Sequence, residues 1–304
     1  MIKIGFIILN YNDSDTTIKL VDSIMNYKII DKIVVVDNCS TDGSFDKLHR
    51  EYGISCDVIK TDFNGGYAYG NNFGFKYLEN NYDPEIVFIA NPDIEFSEDY
   101  IKQIILQFKK TPQFSMLSGR SIETNGELSN GYWNPPSYTE SLLSSFLIYR
   151  LINKVVEKAK SKSKHSNFSS SEVIEVGAIQ GSFIAVRAEI FRDIGYMDEG
   201  TFLFYEENIL AKKMKKKGYK TGIMNNLYYK HNHSVTIKKT MKALQVYKVH
   251  LQSKQYYEKN YNSTSGIKIF LLNWASKYSL LEQFVMTPLK NIFRIRELNK
   301  INKN

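Results

Sequence analysis

The stretch VVVDNCSTDGS, residues 34–44, runs three valines into an acid and then into small polar residues. With Ile33 before it, the apolar part is nearly unbroken, as in a strand buried on both faces. Similar Ile- and Val-rich runs lie on either side, at residues 3–9, 56–61 and 85–90. Helical stretches alternate with them. Asp13 or Ser14 is placed to cap residues 16–25, and a further helix is expected over 67–79. Ser97 is placed to cap 98–109, with Glu98 and Asp99 in the positive first turn. Strands separated by helices require parallel crossovers, so the expected class is α/β with a doubly wound sheet.

The rhythm changes after residue 112. Asn125-Gly126 predicts a hairpin between 121–124 and 127–128. Residues 154–172 are polar, basic and poor in aromatics, which predicts a loop. Strand pattern resumes over 173–186, followed by a helix near 188–194. Another helix, 206–217, is expected to stop at Gly218, a natural left-handed cap. No internal repeat is present.

The 304 residues carry a net charge of +8, 43% hydrophobic and 24% charged residues, a composition that excludes general disorder. Two cysteines, Cys39 and Cys56, exclude a disulfide scaffold, and no CxxC pair points to zinc. The apolar start is short for a signal peptide, and no run reaches the roughly 20 residues needed to cross a bilayer. The expected location is therefore cytoplasmic. The basic excess points to anionic partners, but no zinc spacing, RNP-like motif or recognition-helix signature supports nucleic acid. Residues 266–298 mix apolar residues with Lys and Arg, a pattern that suits core packing, a homodimer contact or an interfacial helix on anionic lipid.

In an open parallel sheet, ligands bind beyond the carboxyl ends of the strands. The residues just past each strand are polar here: Asn10-Tyr11-Asn12-Asp13, Asp37-Asn38, residues 62–66, and Asn91-Pro92-Asp93. Each group alone is ordinary turn chemistry. Their recurrence at four successive strand ends points to one crevice.

These segments, IILNYN (7–12), VVVDNCSTDGS (34–44), NGGYAYGNNFG (64–74) and IANPDIEF (89–96), precede IQGSFIAVRAEIFRDIGYMDE (179–199), FLFYEENILAKKMKKKGY (202–219) and HNHS (231–234). In this order they resemble a family 2 glycosyltransferase of the kind that assembles bacterial surface polysaccharides; the middle segments look most like rhamnosyltransferases. The resemblance implies a GT-A type mixed doubly wound sheet over residues 1–236. Residues 1–112 would form the nucleotide-binding half and 113–236 the acceptor and catalytic half, with a C-terminal helical extension over 237–304. It also implies an inverting transfer of rhamnose or another hexose from a dTDP- or UDP-sugar to a saccharide or lipid-linked acceptor.

By that resemblance, Leu9, Asn10, Asn12 and Asp37 line the nucleotide pocket. Asn64, Gly65, Gly66 and Asn71 form a glycine-rich loop near the nucleotide sugar. This loop is not GxGxxG and comes after the third strand, which argues against a dinucleotide-binding dehydrogenase. Asn91-Pro92-Asp93 stands where the family has DxD, so Asp93 alone would meet Mg²⁺ or Mn²⁺, with Asn91 beside it. His231 or His233 adds a ligand or a diphosphate contact. Glu207 matches the second acid of the family's catalytic pair and would be the base; being one methylene longer than the usual Asp, it implies either an acceptor slightly farther away or Glu206 sharing the work. On composition alone, two acids opening a helix that ends in lysines are also good dipole chemistry. Ile209 and Lys213 depart from the usual acid and arginine. Gly181-Ser182-Phe183 resembles the stretch before the acceptor-site helix, Arg187 matches a frequent basic position, and Tyr132, Trp133 and Tyr205 are candidate sugar-stacking aromatics. Asn91 and the Glu-Glu pair also fit a catalytically silent relative serving as an assembly subunit. The basic residues of the C-terminal region suit a peripheral contact with the inner face of the membrane.

Overall fold

A computed structural model describes residues 2–164, 173–232 and 242–301, with side chains described outside 157–164 and 286–301. The chain begins β1 (Ile4–Asn10), α1 (Ser14–Ile24), β2 (Lys32–Asp37), α2 (Ser44–Tyr52), β3 (Asp57–Lys60), α3 (Tyr67–Tyr82) and β4 (Ile86–Ala90). It continues through β5 (Ile94–Glu95), α4 (Glu98–Lys110), β6 (Phe114–Glu123), β7 (Tyr132–Trp133), α5 (Tyr138–Leu143) and α6 (Leu147–Lys164). Then come β8 (Val173–Val176), β9 (Ala178–Ile179), β10 (Phe183–Arg187), α7 (Ala188–Asp193), α8 (Glu206–Lys216) and β11 (Lys220–His231), and finally α9 (Ala243–Tyr261) and α10 (Gly266–Ile301).

The chain divides into two compact units, Met1–Pro135 with Ser169–Thr240, and Pro136–Phe168 with Met241–Asn304. The first is built on a mixed sheet ordered β3-β2-β1-β4-β10-β6-β11-β5, with β8 also on β11. β3, β2, β1 and β4 run parallel, and β10 enters antiparallel between β4 and β6. Alternation along each strand sorts the core into two layers. Phe6, Ile8, Val35 and Phe88 pack with Leu20, Ile24, Leu48 and Ile104 of α1, α2 and α4. Ile7, Val34, Val36 and Ile89 pack with Phe75, Leu78, Phe191 and Leu210 of α3, α7 and α8. Helices cover both faces, which is why the strand sequences are apolar at nearly every position.

Local expectations meet the structure unevenly. Ser97 Oγ accepts from the Tyr100 amide and caps α4. The 125–126 turn closes with Glu123 N–H on Glu127 O and one Ile122–Leu128 bridge. Asp13 occupies the N-cap of α1 without a side-chain capping bond. The loop expected from 154 is helical up to Lys164; residues 165–172 lie outside the described residues. Lys, Ala and Glu are strong helix formers, and no Gly or Pro occurs between Pro136 and Gly177 to stop the helix. Polarity there did not mark a break.

The second unit is helical. A Ser137–Glu140 capping box opens α5, and the buried Lys254 ammonium of α9 bonds Ser145 Oγ at 2.7 Å and Ser141 O at 3.2 Å. Residues 136–168, expected within the acceptor half, thus belong with the C-terminal helices. Among the described residues, no helix is long and apolar enough to cross a membrane.

Candidate active site

The parallel register sets Asn10 beside Asp37 at the carboxyl ends of β1 and β2. Both residues are buried, and Asn10 Nδ2 donates to Asp37 Oδ2 at 2.8 Å. Asp37 Oδ1 accepts from the Ser40 amide at 2.9 Å, and Ser40 Oγ accepts from the Asn12 amide at 2.9 Å. The carboxylate is therefore built into the floor of the crevice, where amide and hydroxyl groups hold the first two strand ends together. Asn12 exchanges side-chain and backbone bonds with Thr41 at the rim. Leu9 packs under α3, close enough that a Cβ on Gly70 would lie 2.3 Å from its Cδ1.

The glycine-rich loop comes after β3. Asn38 Nδ2 donates to Asn64 Oδ1 at 2.9 Å and to Gly66 O at 3.0 Å. Gly66 has φ +89°, and a Cβ there would stand 2.1 Å from Phe202 O, so only glycine fits. The first amide of α3, from Tyr67, bonds that same Phe202 oxygen at 3.0 Å. Gly65 is wedged against the Tyr69 ring. Asn71 is buried within α3; its Nδ2 donates to Tyr67 O, while its Oδ1 has no hydrogen-bond partner among the described residues.

At the end of β4, the Asn91 amide donates to Ser182 O at 2.9 Å. Asp93 is 8% exposed, and its buried Oδ1 has no hydrogen-bond partner among the described residues. His231, at the end of β11, brings Nε2 to 3.4 Å from that oxygen. No cluster of three or more His, Cys, Asp or Glu able to hold a metal occurs among the described residues. Asp93 and His231 therefore offer two donors, and His233 lies outside the described residues. A carboxylate oxygen left bare under cover, with an imidazole nitrogen beside it, is a donor set that fits a divalent cation taking its other oxygens from phosphate and water.

Glu206 and Glu207 open α8. Glu206 is 5% exposed with Oε1 unpartnered among the described residues. Burial, and then the neighbouring Glu207 charge, push its carboxyl well above the ordinary range. Glu207 is half-buried, its Oε1 accepts from the Gly181 amide at 3.2 Å, and burial raises its pKa as well. Gly181 is clasped from its other side by the Tyr67 hydroxyl, which donates to Gly181 O at 2.6 Å. A Cβ on Gly181 would lie 2.8 Å from Glu207 Oε1. Before the helix, Phe204 and Tyr205 both have positive φ, 73° and 70°, a strained approach that aims the two glutamates.

Residues 180–182 join these groups. Gln180 meets His231, Gly181 meets Glu207 and Tyr67, and Ser182 meets Asn91. Arg187 is not among them. It sits at the opposite end of β10, paired with Ile86, and its guanidinium bonds Phe108 O and Phe114 O. Tyr205 is buried in the turn, whereas Trp133 is 37% exposed and donates to Asn208 Oδ1 at 2.7 Å. Tyr132 pairs with Ile179, and Lys213 bonds the carbonyls of Gly195 and Tyr196 instead of a carboxylate. Three residues of the site lie inside the segments 64–74 and 179–199 but are not singled out there: Gln180, Tyr67, and Asn72, which grips Met197 and Glu199. Each acts on a residue over 50 positions away, so no local pattern marks it. A cavity of about 320 Å³ opens at the other end of the strands, lined by Lys3, Asp31, Lys32 and Tyr82 among others, and holds none of these groups.

The profile of Glycosyl transferase family 2 matches residues 6–195. The low-salt glycan biosynthesis hexosyltransferase Agl10 of Haloferax volcanii is 25% identical over 249 residues, 80% of this chain and 72% of that protein. The O-antigen chain rhamnosyltransferase RfbN of Salmonella typhimurium is 25% identical over 236 residues, 77% of this chain and 68% of that protein. Among solved structures, the Pyrobaculum calidifontis mannosyltransferase PcManGT with GDP-Man and Mn²⁺ superposes with a TM-score of 0.56 at 14% identity, covering 91% of this chain and 72% of that one. GalNAc-T7 with UDP, GalNAc and Mn²⁺ gives 0.60 at 13% identity over 86% of this chain, which spans about half (49%) of that protein. S. aureus TarS gives 0.51 at 15% identity over 89% of this chain and 42% of its own. At such identities the structural likeness speaks for the fold.

Proposed function

The chain belongs to glycosyl transferase family 2 and has the GT-A fold, and on that premise we propose that it is an inverting hexosyltransferase with Glu207 as the base. The donor is a nucleoside diphosphate sugar, dTDP-rhamnose first and UDP-hexoses next; the acceptor is a saccharide or lipid-linked oligosaccharide of a surface glycan. The names of the two sequence relatives, a glycan hexosyltransferase and an O-antigen rhamnosyltransferase, support this reading. So do solved relatives carrying UDP-GlcNAc and GDP-Man.

In the reaction, an acceptor hydroxyl oxygen forms a bond to the anomeric carbon opposite the nucleotide. The bond from that carbon to the diphosphate oxygen breaks, and the diphosphate leaves with the electron pair. Glu207 accepts the hydroxyl proton. Its raised pKa makes it a stronger base near neutral pH than an exposed glutamate. Burial and the neighbouring Glu207 charge favour the neutral form of Glu206, which weakens like-charge repulsion on Glu207. Asn10, Asn12 and Asp37 with Leu9 hold the nucleoside end, and the backbone at Asn64, Gly65 and Gly66 with Asn71 meets the sugar nucleotide. Asp93 and His231, with Asn91 beside them, would hold Mg²⁺ or Mn²⁺, which when bound offsets the charge of the departing diphosphate.

The observation that carries the reading is the short segment 180–182, which ties the Glu207 carboxylate and the Asp93–His231 pair into one crevice beyond the strand ends. Its test is Glu207→Gln, measured by donor binding and sugar transfer. Transfer should fall by at least about 100-fold, the low end of general-base contributions, while nucleotide affinity stays within about threefold. Full transfer in this variant would remove Glu207 from the role. Absence of even slow donor hydrolysis by the wild type across several nucleotide sugars that it binds would favour the silent-subunit reading.

A further inference from the structure

Gln180 sits between two groups of the cation site. Its amide nitrogen lies 3.0 Å from His231 Nδ1 and its amide oxygen 2.9 Å from Ser121 Oγ. Ser121 Oγ is also 2.8 Å from Glu123 Oε1. On the far side of the imidazole, Nε2 is 3.4 Å from the bare Asp93 Oδ1. Resting on the reading that Asp93 and His231 meet a divalent cation, we propose that Gln180, anchored by Ser121 and Glu123, is a positioning residue that decides which nitrogen of His231 carries the proton and leaves the Nε2 lone pair facing Asp93.

Counting protons leads to this arrangement. Ser121 has one hydroxyl proton, and an ionised Glu123 only accepts. A bond to a carboxylate is stronger than one to a neutral amide oxygen, so the proton goes to Glu123. Ser121 Oγ is then an acceptor, and the group it accepts from is the Gln180 NH₂. Half a turn of the amide about its last side-chain bond exchanges nitrogen and oxygen within the same space. The Gln180 carbonyl now faces Nδ1 and accepts a hydrogen bond from Nδ1–H. A neutral imidazole protonated at Nδ1 is bare at Nε2. The Tyr229 hydroxyl, which reaches both Ser121 and Ser182, is compatible, because a serine oxygen has two lone pairs. A lone pair on Nε2 and a buried carboxylate oxygen, both facing one small space, repel each other unless a cation joins them. The opposite amide orientation would donate to Nδ1, place the proton on Nε2 and make His231 a donor instead of a ligand.

The two orientations respond oppositely to one substitution. Glu at 180 can only accept, which suits Nδ1–H and does not suit a bare Nδ1. We would titrate the full chain with Mn²⁺ by calorimetry for wild type, Gln180→Glu, Gln180→Leu, Ser121→Ala and Asp93→Asn, and record the ring ¹⁵N shifts of His231 in metal-free wild type. Expected are a roughly 10–100-fold loss of Mn²⁺ affinity in Gln180→Leu and a smaller loss in Ser121→Ala, the usual scale for partners behind a metal ligand. Gln180→Glu should bind Mn²⁺ as tightly as wild type or tighter, and Nδ1 should be the protonated nitrogen. A Gln180→Glu variant as weak as Gln180→Leu, or a protonated Nε2, overturns the proposal; the spectrum decides even where a variant fails to fold. If Asp93→Asn abolishes Mn²⁺ binding while the Gln180 variants bind normally, the positioning role alone falls. If Asp93→Asn binds Mn²⁺ unchanged, the cation-site reading falls with it.

Discussion

Two adjacent glutamates at the start of one helix end up with different chemistry. Glu206 points into protein and Glu207 toward the crevice and the Gly181 amide. Because burial raises the Glu206 pKa above its ordinary value of 4.5, the folded chain holds that proton more tightly than the unfolded one. The stability linked to it is fully present below about pH 4.5 and is lost as pH rises through the folded value. Glu206→Gln keeps the shape and removes the titration. Its melting temperature relative to wild type should rise progressively above about pH 4.5 and match wild type near pH 4; a difference independent of pH would sink the burial argument. The acidic pair itself was visible in the sequence through its place before a helix. Which member is buried was not, since burial depends on what the fold packs around the start of α8 and not on the neighbouring residues in the chain.

At the level of elements, the site depends on the close approach of α3 to the turn before α8. Gly66 provides the room, and the Tyr67 amide closes the contact on Phe202 O. Gly66→Ala should therefore cost the backbone about 1–3 kcal/mol and, in addition, displace residues 201–205 with the glutamates they aim. Gly43→Ala is the natural comparison, since Gly43 also has positive φ, +84°, but a Cβ there meets nothing within 4 Å. Thermal melting and transfer rate measured on both should show a larger loss in Gly66→Ala; equal losses would mean that the contact contributes nothing. Most elements were legible because apolar periodicity is a local property: β1, β2, β4 and α4 fall where their residues put them. The segment 154–164 departs from expectation because Lys and Ser mark loops only where a breaker accompanies them. Without Gly or Pro, helix propensity decided the outcome.

For the whole molecule, we propose that the charge of +8 serves a membrane contact made by the helical unit. α10 buries one face and exposes an apolar stripe on another. Leu272, Ala275, Ser276 and Ser279 are buried, while Ile267, Phe270, Trp274, Tyr278, Leu281 and Phe284 are exposed. An exposed apolar stripe carrying Lys268 and Lys277 suits an anionic membrane surface, where each basic residue adds about 1 kcal/mol. Co-sedimentation should thus require anionic vesicles, weaken with salt, and fall in Phe270→Ser/Trp274→Ser. Equal binding to neutral vesicles would refute the membrane reading, and a concentration-dependent dimer lost in the same double variant would reassign the stripe to a second copy. The sequence by itself determined the strands, the helices and the chemical types waiting at each strand end, because those depend on side-chain alternation and turn chemistry within a few residues. Only the tertiary structure decided that His231 faces Asp93, that Gln180 stands behind it, and that residues 136–168 join the C-terminal helices. Hydrogen bonds act over about 3 Å, and no spacing along the chain reveals which distant residues the sheet will bring within that reach.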